Sequence, residues 1–495
     1  MSIEKRPPVV VVMGHIDHGK STLLDYIRKT NIVLGEAGGI TQHLSAYEIT
    51  HRDENKENRK ITFIDTPGHA AFSGMRERGA MIADIAILVV SAEDGVKAQT
   101  LEAWETIKNA KVPYFVAINK IDKPGANIEK VKNEMMDKGI YLEGYGGDTP
   151  YVEISAKNGT NIDSLLDLIV LLSDLNDLKT NTDSETIGIV VESHRDPKRG
   201  VIATLIVKDG ILKKGSFVST ENSYAPTRIM ENFLGKPIEE ATCSMPVTIV
   251  GFSDLPFVGS FITVFESKKD AEKYILEEKQ KVFSVKEQNK YDESVKVIPL
   301  ILKTDAGGVI DAVKKELSHL ELDNLKFKYV TEEVGVISEK DLRLVEADPE
   351  IIIIGFNVSI DPQSKILNEQ IKAKIINENI IYKISDELKE IVEEKRPRIK
   401  TLEKTGFIKV LKSFSRTKEK SVLGGKITEG IISVGNIIRI LRNDNEIGRG
   451  KITELQHNKL KQKSLESPIE CGLLVESKID ILEGDILEAI KEIII

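Results

Sequence analysis

At 495 residues the chain is too long for a single hydrophobic core and implies roughly three to five domains, with 41% hydrophobic and 30% charged residues marking it as globular. No stretch reaches the apolar length of a membrane span, the start Met1–Pro7 lacks the apolar centre of a secretory signal, and Cys243 and Cys471 have no metal-type partner. We therefore expect a soluble, cytoplasmic protein with reduced thiols and neither membrane, disulfide framework nor zinc. The formal charge of −9 argues against a dedicated nucleic-acid binder, yet Pro397–Lys463 holds 16 Lys/Arg against 6 Asp/Glu and Ser464–Ile495 holds 2 against 8; taken alone, the positive run suits a solvated face as well as a nucleic-acid contact.

Residues 9 to about 175 alternate apolar strand candidates with amphipathic helical patterns. The strands are Val9–Met13, Leu44–Ile49, Ile61–Asp65, Ile85–Ser91, Tyr114–Asn119 and Tyr151–Ser155, and Thr100–Asn109 and Ile162–Leu172 are among the helices. This predicts a doubly wound α/β domain with its ligand at the carboxyl ends of the strands.

The first strand breaks into Gly14-His15-Ile16-Asp17-His18-Gly19-Lys20-Ser21 and then the helix-like Thr22–Ile27. In that spacing the glycines let backbone N–H groups close on phosphate oxygens and the helix start adds its positive dipole end. Lys20 would neutralise β- and γ-phosphates and the Ser21 hydroxyl would hold Mg²⁺. Asp65-Thr66-Pro67-Gly68 follows a strand, so Asp65 can bind Mg²⁺ through water and the Gly68 N–H can meet the γ-phosphate. Asn119-Lys120-Ile121-Asp122 fixes the base: the Asp122 carboxylate accepts guanine N1–H and N2–H, the Lys120 stem lies across the ring, and Asn119 ties the loops together. Adenine offers no such donor pair. Ser155-Ala156-Lys157 packs on guanine through backbone N–H groups.

Four elements in this order point to GTP/GDP with Mg²⁺. Two further matches read as coincidence: Asn289-Lys290-Tyr291-Asp292 has no preceding strand, and the Asp-x-x-Gly copy Asp305-Ala306-Gly307-Gly308 is the kind of two-residue pattern that recurs by chance.

Beyond the polar stretch Asn176–Glu185, short β-runs (Ile187–Glu192, Val201–Val207, Ser216–Ser219, Val247–Phe252) predict a small β-barrel ending near Phe265. The charged helical segment Lys268–Lys290 reads as a connector. Strand and helix then alternate again: Val297–Leu302 before Val309–Leu320, Lys326–Val330 before Glu339–Ala347, Ile351–Phe356 before a helix over Ser364–Asn377. After a charged helix at Ser385–Glu394, β-runs return at Phe407–Lys412, Ser421–Ile427, Asn436–Leu441, Gly450–Leu455 and Leu473–Glu476. The phrase Ala203–Gly215 recurs as Leu423–Gly435, suggesting a repeated β-module.

The motifs Gly35-Glu36-Ala37-Gly38-Gly39-Ile40-Thr41-Gln42-His43, Asp65-Thr66-Pro67-Gly68-His69 and Asn119-Lys120-Ile121-Asp122-Lys123-Pro124-Gly125-Ala126 resemble bacterial translation initiation factor 2. So do Arg199–Thr204 and Glu470-Cys471-Gly472, so the resemblance covers nearly the whole chain; the long N-terminal extension common in that family is missing, and the chain looks like its minimal core. With the residue reading, the resemblance implies a multidomain α/β plus β-barrel architecture: a P-loop GTPase domain over 1–178, a β-barrel over 184–266, a connector helix over 267–293, a small α/β domain over 294–382, a connector helix and linker over 383–403, and over 404–495 a C-terminal β-barrel that binds initiator tRNA.

The resemblance also implies roles. Asp17, His18, Gly19, Lys20, Ser21 and Thr22 surround the phosphates, Thr41 joins Ser21 and Asp65 on Mg²⁺, and His69 orients the attacking water. Ile16 and Ile40 are candidates for an apolar gate over His69, although core packing accounts for them equally well. His15 and His18 are expected to shape the loop. Implied partners are ribosomal subunits, ribosomal RNA and the initiator tRNA acceptor end, bound by a monomer that promotes subunit joining and hydrolyses GTP when the ribosome completes its site.

At the tRNA end Lys459, Glu470, Cys471 and Gly472 match the family pattern, whereas a usual cysteine is Gly425 and an expected arginine and aromatic are His457 and Asn458. In this company the positive run favours acceptor-strand contact. An elongation, recycling or selenocysteine-specific factor would share the GTPase motifs and first barrel but is not expected to carry the second α/β domain and terminal barrel. A ribosome-assembly GTPase would bind ribosomal RNA without tRNA.

Overall fold

The computed structural model describes residues 3–28, 41–53, 55–282, 296–322, 324–395, 400–417, 419–443 and 445–494, which fall into two compact units, Met1–Lys395 and Arg396–Ile495. The first unit opens with strands β1 (Ile3–Lys5), β2 (Val9–Gly14), β3 (Ser45–Arg52), β4 (Asn58–Asp65), β5 (Ile85–Ser91), β6 (Tyr114–Asn119), β7 (Tyr151–Glu153) and β8 (Lys179–Asn181). Helices α1 (Lys20–Arg28), α2 (Ser73–Ile82), α3 (Ala98–Ala110), α4 (Ile128–Asp137) and α5 (Ile162–Leu175) lie between them.

Six strands form one sheet in the order β3-β4-β2-β5-β6-β7, with only β3 and β4 antiparallel. Val9, Val11 and Met13 join the core on one face, Val10 and Val12 the core on the other. Burial on both faces explains why β2 reads as an unbroken apolar run. Because β2 lies between β4 and β5, the crevice at its carboxyl end is the topological switch point where such sheets take ligands.

Helix α2 was not legible in the sequence, since Gly74 and Gly79 lower its helix propensity. Its packing supplies the reason it forms there: a Cβ on Gly79 would come within 3.0 Å of Thr66 and 3.2 Å of Val11, so the glycine lets α2 lie close on β2.

The next domain is a seven-stranded antiparallel sheet running from Tyr224–Pro226 through Phe217–Ser219, Phe261–Phe265, Ile187–Asp196, Gly200–Asp209 and Pro246–Val250 to Met230–Asn232. It curls around one interior to which every strand contributes, among them Val190, Ala203, Val218, Ala225, Met230, Val247 and Ile262. Helix α6 (Lys268–Val282) packs on three of these strands through the buried Ala271 and Ile275, so its described part belongs to the barrel and is not a free connector. The Asn289–Asp292 match lies outside the described residues.

Asp84, between α2 and β5, joins the first two domains. It accepts from Arg6 at 2.5 and 2.6 Å and from the Val9 N–H at 2.9 Å, while Lys208 of the barrel stands 3.3 Å away. These partners outweigh burial and hold the Asp84 carboxyl below its ordinary range. A depressed carboxylate stabilises the fold above its unfolded pKa of about 4 and loses that contribution as pH falls through the folded value. Asp84→Asn should therefore destabilise the protein at pH 7 by about 3–5 kcal/mol, the cost of stranding a buried cation, and the deficit relative to parent should shrink in calorimetry as pH drops below about 4.

The small α/β domain is a four-stranded parallel sheet in the order Leu325–Val334, Lys296–Thr304, Ile352–Phe356, Lys374–Glu378. Its helices are α7 (Val309–Ser318), α8 (Glu339–Ala347), α9 (Pro362–Ile371) and α10 (Ile381–Lys395). The single helix expected over Ser364–Asn377 is in fact α9 followed by a strand, with the break at Lys372, whose φ of 55° ends the helix in a left-handed cap. Glycine is the usual signal for that cap, and lysine gives none. The segment expected to serve as a connector from 383 also differs: α10 buries Ile381, Ile384, Leu388, Ile391 and Val392 against this domain.

In the second unit, six strands close into a ring: Lys400–Thr417, Ile486–Ile494, Ile437–Arg442, Asn445–His457, Ile469–Ser477 and Lys420–Ser433, which pairs back to Lys400–Thr417. The repeated phrase folds alike in both β-domains, with Gly210 and Gly430 at φ 72° and 74° and Gly215 and Gly435 at 98° and 95°, a left-handed backbone that glycine adopts freely.

Candidate functional site

A cavity of about 300 Å³ at the carboxyl ends of β2 and β6 is lined by Ile16, Asp17, Gly19, Lys20, Ser21 and Thr22 from the phosphate loop and α1. Thr41, Gly68 and His69 line it too, as do Asn119, Lys120, Asp122, Ala156 and Lys157. Segments more than a hundred residues apart thus meet at one place, where the parallel strands end.

Asn119 holds the loops together, its amide donating to the His18 carbonyl at 2.9 Å and accepting from the Ala156 N–H at 3.0 Å. Ser155 donates to the Asp122 carboxylate at 2.7 Å, which is the main reason that this carboxyl titrates below its usual range. Asp122 is thereby kept anionic, as an acceptor of two base N–H groups must be.

At the phosphate end Lys20 is buried and donates to the His15 carbonyl at 2.7 Å. Burial lowers its pKa to about 8 against the opposing pull of Asp65, so added phosphate charge would restore its proton affinity. A Cβ on Gly68 would stand 2.5 Å from Lys20 Nζ and 3.1 Å from the Ile16 nitrogen, so a side chain there would push Lys20 from its place. The Ser21 and Thr41 hydroxyls are 2.9 Å apart, and Thr41 donates to Asp65 at 3.3 Å. Two hydroxyls and a carboxylate in mutual contact form the hard oxygen set that Mg²⁺ takes, so these three residues fit the ion. His18 is fully buried with Nδ1 3.3 Å from the Val89 carbonyl, and burial drives its pKa to about 3; a neutral loop-shaping group fits that setting.

His69 caps a short 3₁₀ turn, and its Nδ1 accepts from the Ala71 N–H at 3.1 Å. That bond leaves the proton of the neutral ring on Nε2. Burial first, then Arg76 and His319, lowers its pKa to about 4, so the imidazole is neutral at physiological pH. The gate candidate Ile16 lines the cavity, and Ile40 lies outside the described residues.

Three contributors carried no sequence signal. Arg76 of α2 is buried, donates to the carbonyls of Pro67 and His69 and pairs with Glu102, bracing the loop that carries Gly68 and His69. Ile381 and Tyr382 of α10 line the cavity from the small α/β domain. The Asp305–Gly308 copy is explained by packing. Gly307 donates to the Ser193 carbonyl at 2.8 Å, and a Cβ on it would meet the Ser193 hydroxyl at the same distance, so the glycine serves a domain contact.

In the second unit Gly424 pairs with Gly472, Gly425 with Cys471 and Lys426 with Glu470 on adjacent strands. Strand alternation divides the tRNA-end candidates between two faces. Cys471 lies in the barrel core with its thiol pushed up to about 11 by burial, and a Cβ on Gly425 would meet core residue Ile408 at 2.7 Å. These two positions face inward, whereas Glu470 is exposed and Gly472 partly so. His457 Nδ1 donates to the Glu470 carbonyl at 2.9 Å while its Nε2 accepts from Asn458 at 3.1 Å. Asn458 and Lys459, at φ 50° and 64°, make a two-residue hairpin turn that presents Lys459 to solvent. The positive run is also less bare than its count suggests, because the acidic tail folds onto it through Arg439–Glu488, Arg442–Asp485 and Lys404–Glu488.

Among known proteins, the family described as Elongation factor Tu GTP binding domain matches residues 5–174, Elongation factor G domain 2 matches 185–265, and Translation-initiation factor 2 matches 271–389. Translation initiation factor IF-2 of Halothermothrix orenii is 41% identical over 98% of this chain and 72% of its own length. Those of Bacillus subtilis and Thermotoga sp. are each 40% identical over 98% of this chain, covering 69% and 71% of their own lengths.

Proposed function

From the premise that the chain belongs to the translation initiation factor IF-2 family and is a translational GTPase, we propose that it binds the formylmethionyl end of initiator tRNA, positions it on the ribosome in its GTP state and promotes subunit joining. The ribosome then triggers hydrolysis of the bound GTP. The observation that carries this reading is the cavity gathering the phosphate loop, Thr41, Gly68, His69 and the Asn119/Asp122 base pair of residues around one nucleotide-sized space.

In the proposed reaction Lys20 and the loop N–H groups stabilise charge developing on the γ-phosphoryl oxygens, and the neutral His69 directs the attacking water through Nε2. Ser21, Thr41 and Asp65 hold Mg²⁺, which supplies further charge neutralisation when bound. Slow turnover without the ribosome follows, because the reading assigns no arginine to the transition state. We place the protein in the cytoplasm as a monomer; among the described residues no helix is long and apolar enough to cross a membrane.

The C-terminal barrel is assigned the tRNA acceptor end, read by Glu470 and the Gly472 backbone with His457 and Lys459 beside them. With Gly425 and Cys471 turned inward, few side chains remain to close over the formyl group. Each missing contact costs about 1–3 kcal/mol of discrimination, so preference for formylated over unformylated initiator tRNA should persist but be shallow. Filter binding of the whole protein to formylated, unformylated and uncharged initiator tRNA at two salt concentrations tests this. Affinity should fall with salt, as phosphate contacts by lysines require. Salt-independent binding, or equal affinity for uncharged tRNA, would contradict the assignment.

A further inference from the structure

The imidazole of His69 lies between two aromatic rings from different domains. Phe72, in its own turn, is edge-on with centroids 6.2 Å apart, and Tyr382, the second residue of α10 in the small α/β domain, is perpendicular to it at 4.3 Å. Tyr382 and Ile381 line the same cavity as Lys20, Gly68 and His69. The surrounding contacts make the arrangement specific. The same domain pairs Asp311 with Arg78 at 3.1 Å and Lys315 with Ser73 at 2.5 Å on the segment that follows His69. It also accepts from Gln42 at the Asn379 carbonyl at 2.9 Å, and Asp305 lies 3.3 Å from His43. Both segments that flank the γ-phosphate position are thus held by one neighbouring domain.

The His69 Nδ1 is committed to the Ala71 N–H, so any catalytic contact must come from Nε2, and the direction of Nε2 is set by how the ring is packed. We propose that Tyr382 is a positioning residue: its ring holds His69 in a resting orientation against the small α/β domain, and movement of that domain on the ribosome frees the imidazole to reach the attacking water. The gate thereby has a wall supplied by another domain, and it opens by domain displacement. The proposal rests on the reading of His69 as the group that orients water. The ionisable groups that act on the His69–Tyr382 pair are Arg76 of α2, His319 after α7, Glu316 of α7 and Asp17 of the phosphate loop.

The test uses the full chain in single-turnover GTP hydrolysis without and with ribosomes. Tyr382→Ala and Tyr382→Leu should each raise the ribosome-free rate about threefold to tenfold, the range that one aromatic contact supports, while Tyr382→Phe, which keeps the ring, restores the parent rate. In a His69→Ala background the increase should vanish. NMR titration of labelled histidines reads the packing independently of hydrolysis: the His69 midpoint should rise from about 4 toward the ordinary histidine range in the alanine and leucine variants and stay put in the phenylalanine variant. An unmoved midpoint with an unchanged or slower ribosome-free rate in both ring-less variants overturns the proposal. A midpoint that moves without any gain in rate shows that Tyr382 packs His69 but that His69 does not limit hydrolysis, which overturns the role given to His69 and the proposal with it.

Discussion

His69→Ala is expected to leave GTP affinity nearly intact and to lower ribosome-stimulated hydrolysis by two or more orders of magnitude, on the order of 3 kcal/mol of barrier. Binding and chemistry separate because the His69 side chain borders the cavity without holding a loop of it together: its ring accepts from the Ala71 N–H and so closes its own 3₁₀ turn. The brace on that loop is Arg76, which reaches the carbonyls of Pro67 and His69 and is untouched by the substitution. Nucleotide titration and single-turnover hydrolysis on ribosomes check the two halves separately. A variant that hydrolyses GTP on ribosomes at the parent rate would make His69 structural, leaving no purpose for a gate over it.

Asp122→Asn should weaken GTP binding by about 10- to 100-fold, since hydrogen bonds to a charged acceptor contribute about 1.5–3 kcal/mol. The new amide also presents a donor where guanine donates. Xanthosine triphosphate, with an acceptor at that edge, should recover part of the loss, because the amide then has a partner. The Ser155 hydroxyl adds a second effect: it donates to the carboxylate at 2.7 Å and accepts from the Asn158 N–H at 3.1 Å, so losing the anion also loosens the loop that packs on the base. Fluorescence titration with guanine, xanthine and adenine nucleotides decides it. Unchanged GTP affinity would remove Asp122 from base recognition.

What the sequence made legible followed local rules. Strands buried on both faces announced themselves as apolar runs, and the nucleotide motifs could be trusted because each followed a strand in the required order. What it hid depended on contacts between distant segments. Helix α2 has two glycines and forms against β2, while Tyr382 reaches His69 across more than three hundred residues. Lys372 ends α9 without the glycine that usually signals such a stop. The facing of two candidate positions was also open to reading. Leu423, Gly425 and Ile427, like Cys471, Leu473 and Val475, share the parity of core-facing positions, and period-two alternation alone would have turned Gly425 and Cys471 inward.

Closure of the C-terminal ring bears on how this domain can take a partner. A sheet with a free border can recruit an extended segment through its unpaired backbone groups, with little regard to side chains. Here the six strands close the ring, but Lys400–Thr417 meets Ile486–Ile494 only as far as Lys409 and, among the described residues, runs on beyond Val410 paired with Lys420–Ser433 alone. Strand addition is thereby denied along the closed part of the ring and confined to this projecting hairpin, whose open border carries the exposed Leu411 and Phe414. On the closed part of the ring recognition is left to outward side chains and turns, so each replacement there alters selectivity directly, with no generic backbone affinity beneath it to mask the change.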